Sequence, residues 1–189
     1  MYVFSDSCPL GGAAVFKGDW FYRNWEVDYP SMGKTHINDL ELLSIIEAAH
    51  RWAPLWYQGH VLFHTDSLVT KCILSRSCAR SPFAQSCLRE LATLAMLYGF
   101  HYSAVHVPGH LNVLPDALSR LHEPSKANWF LKTCSNNFDI DCTRHMSFPA
   151  FCQLGPPGSL GFVNETWRLD NCWRFTWNAA MYITQIRWS

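Results

Sequence analysis

Four acidic residues stand where the chain changes character: Asp6 closes the run YVFSD, Glu41 lies in THINDLELLSI, Asp66 closes VLFHTD, and Asp116 follows Pro115 in HVPGHLNVLPDALSR. Acids gathered in one place repel one another and raise their own pKa values, which a fold tolerates when cations neutralise them. Oxygen donors of this kind suit Mg²⁺ or Mn²⁺, and two such ions about 3.5–4 Å apart can activate a water and hold the leaving oxygen of a phosphodiester. The segment before Asp116 carries His106, His110 and Asn112 around the breaker Pro108-Gly109. It reads equally as the rim of a site and as a well-formed helix start, with Pro115 and Asp116 in the first turn.

Each acid also has a structural reading. Asn38 and Glu41 form N-x-x-E, close to a capping box. Asp66 before Ser67 would cap the following helix, and Asp116 would answer the helix dipole. Asp6 is the exception, because an acid that ends an apolar strand has little structural work to do.

The elements that must position these residues follow from periodicity. YVFSD is a strand, Gly11-Gly12 a turn, AAVF a second strand and the aromatic run WFYRNWEV a third, which predicts an antiparallel meander. From Asn38 the apolar residues Leu42, Ile45, Ile46, Ala49 and Ala53 recur at helical spacing. VLFHTD is a nearly continuous apolar run, as a strand buried on both faces requires. SLVTKCIL predicts a short helix, Phe83 to Tyr98 an amphipathic helix ending at Gly99, HYSAVHV a fifth strand, and PDALSRLH a closing helix. The order βββαβααβα predicts an α/β layer fold with a five-stranded mixed sheet. Its first, fourth and fifth strands run parallel through right-handed crossovers, and Asp6 falls near Asp66. Beyond Pro124 no period is sustained, so the expectation is one domain over 1–123 and an irregular C-terminal extension over 124–189.

The chain has 189 residues and 49% hydrophobic content, enough for one domain with a real core. Its 15 basic and 15 acidic residues exclude a polybasic nucleic-acid binder, so any nucleic-acid contact is local. No apolar run is long enough to span a bilayer and the start MYVFSDSCPLGG lacks a basic signal-peptide region, which predicts a soluble, intracellular protein without membrane contact. The eight Cys, spread through a long Trp-rich chain, read as reduced thiols. Cys134, Cys142, His145 and Cys152 lack the close-set pairs of zinc sites. The triplet Asn164-Glu165-Thr166 has no signal peptide to deliver it for glycosylation.

Taken in order, these motifs resemble the type 1 ribonuclease H family, and most of all the ribonuclease H domain of retrotransposon polyproteins of the LTR or DIRS-like kind. YVFSDSCPLGGAAVF resembles the family's first hairpin, THINDLELLSI its first helix, VLFHTDSLVT its central strand with the T-D-S end, and HVPGHLNVLPDALSR the H-x-PG-x-x-N-x-x-A-D-A-L-S-R string. The likeness covers residues 2 to about 121. It implies a ribonuclease-H-like fold and metal-dependent endonucleolytic cleavage of the RNA strand of an RNA–DNA hybrid. Asp6, Glu41, Asp66 and Asp116 would hold two Mg²⁺ (or Mn²⁺) ions. His106 would be the mobile-loop histidine that shuttles a proton or helps product leave. Asn38 and Asn112 would contact the hybrid near the cut, with Ser67 on its backbone. A short polar side chain such as Asn suits the shallow, 2′-hydroxyl-lined minor groove of a hybrid. Lys71, Arg76 and Arg80 could supply phosphate contacts.

Ser7-Cys8 replaces the usual Gly-Ser or Ala-Ser after the first acid, and no Y-x-D-D motif precedes it. The expectation is therefore a fragment of a larger polyprotein whose upstream reverse transcriptase domain is missing. The main rival is a non-catalytic ribonuclease-H-like module, a nucleic-acid platform, spacer or decayed element copy, against which retention of all four acids and His106 argues. A serine hydrolase built on PGSLG fails because residue 157 is Pro and no strand leads into it.

Overall fold

The computed structural model describes residues 1–17, 19–30 and 34–137. Cys142, His145, Cys152, the Asn164 triplet and PGSLG lie outside the described residues.

Five strands, β1 (Tyr2–Ser7), β2 (Gly11–Phe16), β3 (Asp19–Asn24), β4 (His60–Thr65) and β5 (His101–His106), form one sheet in the order β3-β2-β1-β4-β5. The first three pair antiparallel, whereas β4 runs parallel to both β1 and β5. Among the described residues six α-helices accompany them: α1 (Trp25–Asp28), α2 (Ile37–Trp52), α3 (Leu68–Arg76), α4 (Pro82–Tyr98), α5 (Val113–Ser119) and α6 (Pro124–Asn137). This is the mixed sheet flanked by helices that the ribonuclease H resemblance implies.

Alternation along β2 divides the core between the two sheet faces. Ala14 and Phe16 pack with Val3, Phe21 and Phe63 under Leu42, Ile45, Ile46 and Ala49 of α2 and Cys87, Leu88 and Leu91 of α4. Ala13 and Val15 face the other way, where Trp20 and Tyr22 meet Leu118 of α5 and Phe130 of α6. Helices therefore cover both faces, which suits strands as apolar as VLFHT.

Three local expectations change. The aromatic run does not stay extended, because the Asn24 side chain accepts from the N–H groups of Glu26 and Val27 and starts α1. Gly11 and Gly12 are the first residues of β2 rather than a turn. A Cβ on Gly11 would lie 2.4 Å from the Ser119 carbonyl oxygen, and one on Gly12 2.0 Å from Cζ2 of Trp25, so close packing is what requires them. The segment after residue 123, expected to be irregular, is helical over Pro124–Asn137, with Ala127 and Phe130 buried. Its stripe, Ala127, Phe130 and Leu131, spans barely more than one helical turn, too short to register as a sustained period.

Candidate metal and nucleic-acid site

Strand register brings the first two acids together. Phe4 pairs with His64, so Asp6 and Asp66 each lie two residues further along parallel neighbours. Asp66 follows the end of β4 and is half-buried, while Asp6 is buried near the end of β1. The third acid comes from α2. Its N-cap is His36, whose ring accepts from the Asn38 N–H at 3.2 Å, and Asp39 is the first-turn acid. Glu41 thus falls one turn further in and faces the sheet. The capping-box alternative for Asn38 and Glu41 is not what forms. Glu41 Oε1 accepts instead from the Ser7 N–H at 3.2 Å, and Ser7 Oγ donates to the Leu40 carbonyl at 2.9 Å, clamping α2 to β1.

Oxygen atoms of Asp6, Glu41 and Asp66 all lie within 4.8 Å of one another. Glu41 Oε2 is buried and has no hydrogen-bond partner. A buried oxygen left in this way invites a cation, and an all-carboxylate donor set is the hard-oxygen kind that Mg²⁺ and Mn²⁺ prefer. The three residues therefore fit a divalent metal.

The electrostatics agree. Burial pushes Glu41 up to about 9, reinforced by the neighbouring charges of Asp6 and Asp66 and opposed by the Ser7 N–H. Asp6 is pushed up to about 7 by burial; the Ser119 hydroxyl lowers it, and Asp66 and Asp116 raise it again. Asp66 is raised as well, chiefly by burial and then by Asp116, its own backbone hydrogen bond and His106 acting against the shift. Three acids that hold protons above their usual range release them when a cation binds.

Asp116 is placed differently. It couples to Asp6 and Asp66 through charge, yet it is not in the close group. Arg120 Nε donates to its Oδ1 at 2.9 Å and Lys126 Nζ to its Oδ2 at 2.5 Å. Burial works to raise Asp116, but these two hydrogen bonds and the charges behind them outweigh it and hold the carboxyl below the usual range. The helix-dipole reading of Asp116 is incomplete, because side-chain cations dominate its surroundings.

His106 pairs across the sheet with Thr65 as the last residue of β5, on the strand that HYSAVHV predicts, and not within a loop as the resemblance implies. Its Nε2 is 3.0 Å from the Asp66 carbonyl oxygen, which can only accept, so Nε2 carries the proton and Nδ1 is left as the basic atom. The loop that follows runs beside the acids: a Cβ on Gly109 would stand 3.3 Å from Asp66 Oδ2.

The substrate-contact candidates separate. Asn38 is half-buried on the first turn of α2 and lines a groove of about 530 Å³ with His36, Arg76 and Arg80. Ser67 is the N-cap of α3, accepting from the Thr70 N–H at 3.2 Å, and by taking that role it leaves Asp66 free of it. Asn112 is 1% exposed and its Nδ2 donates to the Ser5 carbonyl at 2.9 Å, an anchor between β1 and the start of α5 that puts its amide out of reach of a hybrid. His64 is buried with its ring edge-on to Phe4, as a core histidine.

Sequence reasoning singles out neither Ser119 nor the two cations on Asp116, Arg120 and Lys126. Ser119 is fully buried and its Oγ lies 2.5 Å from Asp6 Oδ2, fixing that carboxylate from α5. It sits in the quoted string next to Leu118, where its type alone carried the signal. Lys126 lies beyond the expected domain boundary, in the segment expected to be irregular.

No family model matches the chain, and a search of curated proteins returned no match. Among solved structures, the chain is similar to RNase H1 from the halophilic archaeon Halobacterium salinarum NRC-1, at 17% identity and a TM-score of 0.46, over 64% of this chain and 92% of that one. No helix among the described residues is long and apolar enough to cross a membrane.

Proposed function

We propose that this chain is a metal-dependent endonuclease that hydrolyses the RNA strand of RNA–DNA hybrids, as the ribonuclease H part of a retrotransposon reverse transcriptase polyprotein. The observation that carries the metal chemistry is the convergence of Asp6, Glu41 and Asp66 from separate parts of the chain, together with the buried, unpartnered Glu41 Oε2. The hybrid and the polyprotein context come from the four motifs read in order, which also imply an upstream reverse transcriptase as partner.

Bound Mg²⁺ or Mn²⁺, two ions in this reading, would supply an activated water and charge stabilisation at the scissile phosphate. Asp6, Glu41 and Asp66 would be the first ligands, with Asp116 joining them. The remaining groups serve this set. Ser119 fixes the Asp6 carboxylate, and the Ser7 N–H fixes Glu41. His106, orientated by the Asp66 carbonyl, takes up a proton at Nδ1. Asn38 faces the minor groove of the hybrid, while Arg76 and Arg80 on the wall of the same groove meet phosphates. Asn112 acts through the position of α5 and Ser67 through the start of α3.

Substrate choice tests the hybrid assignment. The full chain with Mg²⁺ or Mn²⁺ is expected to cut end-labelled RNA paired to DNA, and to leave the same RNA intact when it is single-stranded or paired to RNA. Equal cutting of all three would replace the hybrid reading with that of a general ribonuclease.

A further inference from the structure

We infer that Lys126 is a positioning residue of the acidic site, a built-in competitor that holds Asp116 until a divalent cation takes that carboxylate. The inference rests on the proposed metal reading and deepens it. Both oxygens of Asp116 are engaged by protein cations, Oδ1 by Arg120 and Oδ2 by Lys126. In the close group the situation is opposite: Glu41 Oε2 has no partner and Asp6 Oδ2 meets only a neutral hydroxyl. The four acids thus divide into three that are open to a cation and one that is closed.

The two cations closing Asp116 differ in kind. Arg120 is four residues away, the ordinary helical spacing for a local pair. Lys126 arrives from α6, and only because Phe130 seats that helix against Leu118 and Trp20 does its ammonium reach Asp116. An ammonium on a flexible four-carbon stem can leave by rotation alone, whereas a guanidinium forms a planar fork. The Lys126 side chain is 38% exposed, so water is available to receive it, and an exposed pair of this kind is weak. A divalent cation beside Asp66 repels the ammonium and competes for the same oxygen. Ions should therefore bind in two classes: a tighter one at Asp6, Glu41 and Asp66 that leaves Lys126 in place, and a weaker one at Asp116 that requires its release.

Titration of the full chain with Mn²⁺, followed by the electron paramagnetic resonance signal of the free ion, separates the classes without any assay of cleavage. Lys126→Gln is expected to tighten the weaker class by about tenfold, the low end of what a partner of a metal ligand contributes, and to leave the tighter class unchanged. Lys126→Arg, which keeps the charge and the packing of the stem, is expected to retain a weak second class. Identical binding by the unmodified chain and Lys126→Gln, with the tighter class lost in Asp66→Asn, would overturn the competitor role while the metal site stands. Binding by Asp66→Asn that matches the unmodified chain would overturn the metal reading and the inference with it.

Discussion

A carboxylate with a raised pKa makes the folded state bind more protons than the unfolded chain, so stability falls as pH rises between the two values. Glu41, pushed up to about 9, and Asp6, pushed up to about 7, both act in this sense. The penalty is absent below the ordinary carboxylate range and grows through neutral pH. In chelator, the melting temperature of the full chain is expected to drop by several degrees from pH 6 to 9. Glu41→Gln, which cannot ionise, is expected to flatten that profile and to abolish the stabilisation that Mn²⁺ is expected to give the unmodified chain. A profile as steep in Glu41→Gln as in the unmodified chain would place the ionisable burden elsewhere. Among single residues, the acids were legible because strand ends and helix starts are where the sequence can be read with most force. Asn112 was not, because an Asn that contacts a ligand and one that ties a loop to a buried carbonyl have the same side chain. Ser119 and Lys126 depend on how α5 and α6 dock, which no local pattern reports.

At the level of elements, the site is a meeting of β1, β4 and α2, closed from the other face of the sheet by α5 and α6. That the first, fourth and fifth strands run parallel was legible from VLFHTD and HYSAVHV, which helical stretches separate, while the order β3-β2-β1-β4-β5 is what the structure adds. The role of Gly11 and Gly12 was not, since a glycine pair signals a turn as readily as the close approach of Trp25 and Ser119. The start of α2 shifted for a similar reason: His36 and Asn38 are both plausible caps, and the competition is settled by where Leu40 and Glu41 must face. Helix α6 is the largest addition, and its packing gives a direct measure of whether it belongs to the folded unit. Phe130 is 2% exposed and meets Trp20 edge-on at 5.1 Å. Phe130→Ala in the full chain is expected to lower the unfolding free energy by about 3–5 kcal/mol. A loss below about 1 kcal/mol in urea unfolding would mean that α6 is not seated there.

For the molecule as a whole, equal numbers of acidic and basic residues leave no long-range field to gather nucleic acid, so in the proposed reading binding would come from the groove beside α2 and from cations held at the acids. In that reading divalent metal would be both ligand and electrostatic bridge, the means by which an acidic site could face a polyanion. Because α6 carries Phe130 into the core and Lys126 to Asp116, the unit to test is the full chain and not a piece ending near residue 123. The most direct measurement is cleavage of end-labelled RNA in an RNA–DNA hybrid by the full chain and by its Asp66→Asn variant, with Mn²⁺ and in chelator. The unmodified chain is expected to cut only with the metal, and the variant to cut at least about a hundredfold more slowly, since even residues that merely hold a metal ligand in place contribute about 10–100-fold. Undiminished cutting by a folded Asp66→Asn chain, or cutting that persists in chelator, would contradict the assignment of Asp6, Glu41 and Asp66 as a metal-holding catalytic site.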